Sequence, residues 1–176
     1  MHHDQAPPVD QSLRRCTQPL GDLFEQGHAL VEVLIELIVS AVDTYIAALP
    51  SDLEHPFLGR RPAPGTGQQG WRFIDSWFSR LNQSGFHTNH VHPHGWLSSA
   101  HYVQVPPSFQ GSPSTQGWLQ CGQPDFDAGL IDPVRLRVPP SPGRLVLFPS
   151  MFWHGAMPFD EDAERLTIAF DAVPAV

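Results

Sequence analysis

The chain has 176 residues, with ten basic against 18 acidic side chains and a formal charge of −8 at pH 7. That length makes one domain and can bury a core without a structural metal or disulfides. All ten basic residues are arginine, so there is no lysine for a phosphate-binding P-loop or a Schiff base. The acidic balance speaks against a surface that tracks nucleic-acid phosphates, and no nucleic-acid partner is expected.

Cys16 and Cys121 are the two cysteines and form no Cys-x-x-Cys pair, which excludes a disulfide scaffold or a thiolate zinc finger. The opening Met1-His2-His3-Asp4 lacks the charged-then-apolar pattern of a secretory leader, and a cytoplasmic location is expected. The whole chain, 1–176, reads as a single domain. Its helical N-terminal flank covers residues 11–50, and a β-rich core covers residues 70–174.

In the flank, the most apolar stretch runs from Ala29 to Leu49. Glu32, Glu36, Ser40 and Asp43 recur every three or four residues, so one side is polar and the other apolar. This predicts an amphipathic helix laid across a sheet and ended by Pro50. Three acids in the span argue against a membrane crossing.

Residues 51–70 shift to loop composition, with Pro62-Ala63-Pro64-Gly65 in the middle. The period then changes to two. Short strands are predicted at Trp71–Leu81, Phe86–His92, Trp96–Val105, Gly117–Cys121, Arg135–Val138, Arg144–Phe148, Met151–Gly155 and Leu166–Ala172. Eight short strands divided by proline and glycine predict an antiparallel barrel or sandwich, best matched by a jelly roll. The 19 prolines fall mostly in the connections, where a missing N–H does little harm.

Five of the ten histidines lie between residues 87 and 101. In an extended chain His90 and His92 face one side, roughly 6.6 Å apart, so both can reach one metal ion. Pro93 favours extended backbone at His92. The alternative register pairs His92 with His94 around the proline. The best remote third ligand is His154, which follows the buried-strand signal Arg144-Leu145-Val146-Leu147-Phe148-Pro149.

Eleven residues after His154 comes Arg165-Leu166-Thr167-Ile168-Ala169-Phe170. In a strand, Arg165 and Thr167 share one face. A guanidinium beside a hydroxyl suits a carboxylate ligand. Strand pairing can bring that carboxylate within reach of a metal held by His154.

The order of these motifs resembles the iron(II)- and 2-oxoglutarate-dependent dioxygenase superfamily. Within it, the chain is similar to the 2OG-Fe(II) oxygenase family found alone in bacteria or fused to tetratricopeptide repeats. The resemblance rests on Ser84-Gly85-Phe86-His87-Thr88-Asn89-His90-Val91-His92-Pro93 and Gly95-Trp96-Leu97-Ser98-Ser99-Ala100. It continues in Gly143-Arg144-Leu145-Val146-Leu147-Phe148-Pro149-Ser150, in Trp153-His154-Gly155 and in Arg165 to Phe170. A fainter upstream trace is Thr17-Gln18 with Leu23-Phe24.

The resemblance implies a mainly β, cupin-like double-stranded β-helix, Fe(II) as cofactor and 2-oxoglutarate as co-substrate. It implies a dioxygenase that hydroxylates a small-molecule or peptide substrate while 2-oxoglutarate is decarboxylated to succinate. By position, His90, His92 and His154 would hold the metal, and Arg165 with Thr167 would hold the distal carboxylate of 2-oxoglutarate. Tyr102 and Asn89 are candidates for the shell around that co-substrate, and Trp96, Trp118 and Trp153 for a substrate pocket.

The sequence departs from the superfamily at the second ligand, where Asp or Glu is usual and His92 stands here. Neutral imidazole in that place leaves an iron site one unit more positive. The departure also motivates a second expectation, a cupin-like metal-binding protein without 2-oxoglutarate oxygenase activity, since three histidines suit zinc or nickel as well.

Overall fold

The computed structural model describes residues 13–17, 21–109, 114–129 and 134–175. Eight antiparallel strands form one curled sheet: β1 (Leu13–Thr17), β2 (Trp71–His90), β3 (Leu97–Gln104), β4 (Leu119–Cys121), β5 (Leu136–Val138), β6 (Leu145–Pro149), β7 (His154–Ala156) and β8 (Arg165–Pro174). One α-helix, α1 (Ala29–Ala48), accompanies them. The strand order is β5-β4-β7-β2-β8-β3-β6, with β1 also paired to β2. This is the jelly-roll, double-stranded β-helix architecture that the strand pattern predicts.

Strand β2 organises the sheet because both halves of the roll share it. Its first half pairs with β8 from Trp71↔Pro174 to Leu81↔Arg165. Its second half pairs with β1 and then with β7, where His90 lies opposite His154. The sequence suggests a break between Leu81 and Phe86, but the structure keeps one 20-residue strand and bends it there. Ser84 adopts φ 60°, a left-handed conformation that costs a non-glycine residue about 1–2 kcal/mol. Its N–H donates to the Phe159 carbonyl at 2.7 Å, which holds the bend against the loop before β8.

The helix matches its sequence expectation closely. Its ring-bearing cap, His28, accepts the Leu30 N–H at Nδ1, and Pro50 follows its end. Ile38, Val42 and Ile46 recur at helical spacing and bury fully against Trp71, Trp96, Leu97 and Phe170. Polar tips within this layer are paired: Trp71 Nε1 donates to Asp43 at 2.8 Å, and Trp96 Nε1 donates to the Phe57 carbonyl at 2.9 Å. Trp96 also stacks on Phe57, so it belongs to the packing beneath the helix.

The N-terminal flank needs correction. Residues Leu13–Thr17 fall inside the stretch expected to be helical, yet they form β1. Their local sequence has no long apolar period, and pairing with the outer part of β2 supplies the backbone hydrogen bonds that decide the matter. Gln18, part of the upstream trace, lies outside the described residues. No helix among the described residues is long and apolar enough to cross a membrane.

The buried helix face predicts a sharp contrast between substitutions. Ile46→Ala should destabilise the fold by about 2–5 kcal/mol through cavity formation. Leu37→Ala, on the exposed face of the same helix, should change stability by less than about 0.5 kcal/mol. Denaturant unfolding of the two variants checks this.

Candidate metal and co-substrate site

Three histidines converge inside the roll. His90 ends β2, His154 begins β7 directly opposite, and His92 lies two residues beyond the end of β2. Each offers one ring nitrogen, and these atoms all lie within 4.8 Å of one another. His94, the alternative partner, is exposed on the following turn and stands outside this group. Pro93 separates it, and the His92 N–H donating to the Ser150 carbonyl at 2.9 Å ties His92 rather than His94 to the sheet.

The other nitrogen of each ring explains the convergence. His90 Nδ1 faces the Thr88 carbonyl at 2.8 Å, and His154 Nδ1 faces the Phe152 carbonyl at 2.9 Å. His92 Nδ1 faces Asp171 Oδ2 at 2.6 Å. Each of these acceptors calls for a proton on Nδ1 and leaves Nε2 with a bare lone pair. His90 Nε2 and His92 Nε2 lie 3.0 Å apart, and in the Nδ1-protonated neutral form of both rings they meet lone pair to lone pair. Two lone pairs at that distance repel, and a cation bound by both removes the repulsion.

Cys121 lies opposite His154 in the β4–β7 pair and is the one other soft ligand type near the cluster. Burial pushes its thiol up to about 11, so in the metal-free chain it is protonated at neutral pH.

The cluster opens on a cavity of about 490 Å³. All three histidines, Arg165, Thr167 and Asp171 line it. On β8, every second residue from Arg165 to Asp171 faces the cavity, while Phe170 faces the helix-covered core. On β2, Asp75, Trp77, Ser79 and Leu81 do the same in register with them.

Arg165 is 3% exposed, yet among the described residues its Nε and Nη1 have no hydrogen-bond partner. A buried guanidinium with two unpaired donors on the wall of a cavity is fitted to receive an anion such as a carboxylate. Thr167, also buried, adds a hydroxyl on the same face. Three convergent imidazoles whose Nδ1 atoms face acceptors, an arginine without a counter-ion among the described residues, and a cavity joining them therefore fit a divalent metal together with a carboxylate-bearing ligand.

Other expected residues take different places. Tyr102 is fully buried and packs its ring against Arg165, with the guanidinium carbon 4.9 Å from the ring centre. It braces the arginine and does not line the cavity. Asn89 points away: its Oδ1 accepts from Gln120 on β4 at 3.0 Å. The irregular pairing of β2 with β7 between His87 and His90 is the local reason. None of Trp96, Trp118 and Trp153 lines the cavity, and Trp77 does so instead.

Among the cavity residues that had no role in the sequence reading are His87 and Asp171. His87 is half-buried and its Nε2 lies 2.9 Å from Ser79 Oγ. Asp171 holds His92. Extending the Arg165–Thr167 alternation by two more steps points to Asp171, so its signal was present in the sequence.

Burial holds the imidazoles of His87 and His154 well below their ordinary 6.5, and the neighbouring His90 lowers both further. Arg165 adds to the effect at His87. Both rings are thus neutral in the folded chain.

The scan against protein families finds that the one described as "Putative 2OG-Fe(II) oxygenase" matches residues 75–171, just over half of the chain. No curated protein matches the chain. Among solved structures it is similar to a Pseudomonas putida prolyl-4-hydroxylase, with 18% identity and a TM-score of 0.54, covering 96% of this chain and 77% of that one. It is also similar to HygX from Streptomyces hygroscopicus with nickel and 2-oxoglutarate bound, with 13% identity and a TM-score of 0.57, covering 95% and 73%. A third is a Trichoplax adhaerens prolyl hydroxylase in complex with a peptide fragment of hypoxia inducible factor, with 14% identity and a TM-score of 0.55, covering 97% and 70%. At these identities the structural likenesses establish the shared fold.

The neutral buried histidines predict a pH dependence in metal-free protein. Below about 6.5 the unfolded chain binds protons that folded His87 and His154 refuse, so stability is full above that pH and is lost as pH falls. Thermal melting with a chelator present should show Tm dropping between about pH 7.5 and 5.5, and His87→Asn should make the drop shallower.

Proposed function

Because this chain belongs to the 2OG-Fe(II) oxygenase family, we propose that it is a dioxygenase that hydroxylates a small-molecule or peptide substrate and converts 2-oxoglutarate to succinate. The observation that carries this reading is the buried Arg165, with two unpaired N–H donors, in the same cavity as three convergent Nε2 atoms. A metal-binding protein without a co-substrate has no use for that arginine.

His90, His92 and His154 would hold the iron through Nε2, each ring oriented by its Nδ1 hydrogen bond. Iron with 2-oxoglutarate would supply the chemistry for attack on a C–H bond that no side chain here could supply: dioxygen is the oxidant, one of its oxygen atoms entering the substrate and the other the succinate formed, with carbon dioxide released from 2-oxoglutarate. Arg165 would pair with the distal carboxylate of the co-substrate and fix its direction towards the histidines. Thr167 would donate one further hydrogen bond, and Tyr102 keeps the guanidinium in place from behind.

Trp77, Leu119 and Phe148 make part of the wall apolar, which limits water around the reacting centre. The remaining mouth of the cavity takes the substrate. The structures of similar fold include one with a bound peptide and one of HygX with hygromycin B bound, so both a peptide and a small molecule are compatible with this architecture.

Anaerobic titration tests the assignment. Fe(II) with 2-oxoglutarate should give a weak visible charge-transfer band on the wild-type chain and none on His154→Ala. Arg165→Ala should keep metal binding but weaken 2-oxoglutarate by about 30-fold or more, the effect of removing a buried charge partner. Tightly held zinc, with no succinate formed when iron is supplied, would instead make this a cupin-like metal-binding protein.

A further inference from the structure

Asp171 occupies a place that sets His92 apart from the other two histidines. His90 and His154 give their Nδ1 protons to main-chain carbonyls, whereas His92 gives its proton to a carboxylate. The 2.6 Å separation is that of a strong, charge-assisted hydrogen bond.

Asp171 is 7% exposed, and its carboxylate is held from its other side. Asp171 Oδ1 accepts from Ser98 Oγ at 2.6 Å, and Ser98 Oγ lies 2.8 Å from Ser150 Oγ. Ser98 is the direct partner of Asp171 in the β3–β8 pair, so this support is built into the sheet register. Gly95 closes the pocket: a Cβ there would come within 2.4 Å of Ser150 Oγ and 3.5 Å of the Asp171 carboxyl carbon.

Among the described residues no arginine forms an ion pair with Asp171. Its counterpart across the β2–β8 pair is another acid, Asp75. A nearly buried carboxylate in these surroundings needs a positive charge, and the route to one runs through the His92 ring.

We infer that Asp171 is a positioning residue that supplies, through His92, the negative charge that a carboxylate ligand supplies in the usual two-histidine, one-carboxylate iron site. This rests on the proposal that His90, His92 and His154 hold the metal. Three neutral imidazoles leave the full double charge on a divalent ion. Asp171 returns one negative charge one ring away and makes His92 the most electron-donating of the three ligands. The carboxylate is displaced outward by the width of an imidazole, and the net charge of the whole assembly matches the usual site.

The test compares the wild-type chain, Asp171→Asn and Ser98→Ala, using anaerobic Fe(II) and, separately, Co(II) as probes. Asp171→Asn keeps the shape and an oxygen acceptor for His92 but removes the charge. It should weaken Fe(II) binding by about 10–100-fold and shift the Co(II) visible bands. Ser98→Ala keeps the charge and should lose less affinity than Asp171→Asn. If Asp171→Asn binds Fe(II) within about twofold of wild type with unchanged Co(II) bands, the inference is overturned.

A second measurement needs no variant. In NMR spectra of the Zn(II)-loaded wild type, the His92 Nδ1 proton should lie clearly downfield of those of His90 and His154. Coincidence of the three would also overturn the role of Asp171. A wild-type chain that binds neither Fe(II) nor Co(II) would sink the metal reading itself. Normal wild-type binding with no effect of Asp171→Asn sinks only the inference.

Discussion

The antiparallel pairing of β2 with β8 is the constraint on which the cavity depends. Leu81 faces Arg165, Ser79 faces Thr167, and Asp75 faces Asp171 across that ladder. A slip of one residue would turn Arg165 and Asp171 into the helix-covered core and bring Leu166 and Phe170 into the cavity. The fully buried Phe170, packed with Trp96 and Leu97 under α1, prevents that slip. The hydrophobic layer on one face of β8 thereby fixes the chemistry on the other.

Charge inside the roll is distributed with economy. The cavity wall carries one buried cation, Arg165, without an acid, and one buried anion, Asp171, engaged by a histidine. These two lie on the same strand and the same face, six residues apart in sequence. Between them, burial and the crowding of the cluster hold the imidazoles of His87 and His154 well below their ordinary range. An anionic co-substrate at Arg165 and a divalent metal at the histidines would leave every buried charge with an opposite neighbour. Without them, Arg165 is a largely desolvated cation, which carries a cost in free energy.

The three histidines also show how a main chain selects a tautomer. Thr88 and Phe152 each sit two residues before the histidine whose Nδ1 they accept, so local backbone geometry sets His90 and His154. His92 has no such carbonyl and depends on Asp171, 79 residues away along the chain. Its orientation is therefore a property of the folded sheet, whereas the other two are largely local. Gly155, beside His154, lets β7 approach β2 closely, because a Cβ there would come within 2.7 Å of the His87 carbonyl.

Much of this was legible before any coordinates. The amphipathic period of Ala29–Ala48, the alternation in β8, and the His-x-His, His and Arg-x-Thr motifs are local patterns, and local patterns survive in a one-dimensional string. They indicated the mainly β class, the helix laid across the sheet, a His-x-His pair with His154 as its remote partner, and the shared face of Arg165 and Thr167, while leaving open whether His90 or His94 joins His92. Tertiary structure alone decided the rest. It paired Leu13–Thr17 with β2, turned Asn89 towards Gln120, put Tyr102 behind Arg165, and joined Asp171 to His92. Each of these depends on which strands become neighbours and in what register, and residues far apart in sequence carry no mark of that until the sheet closes.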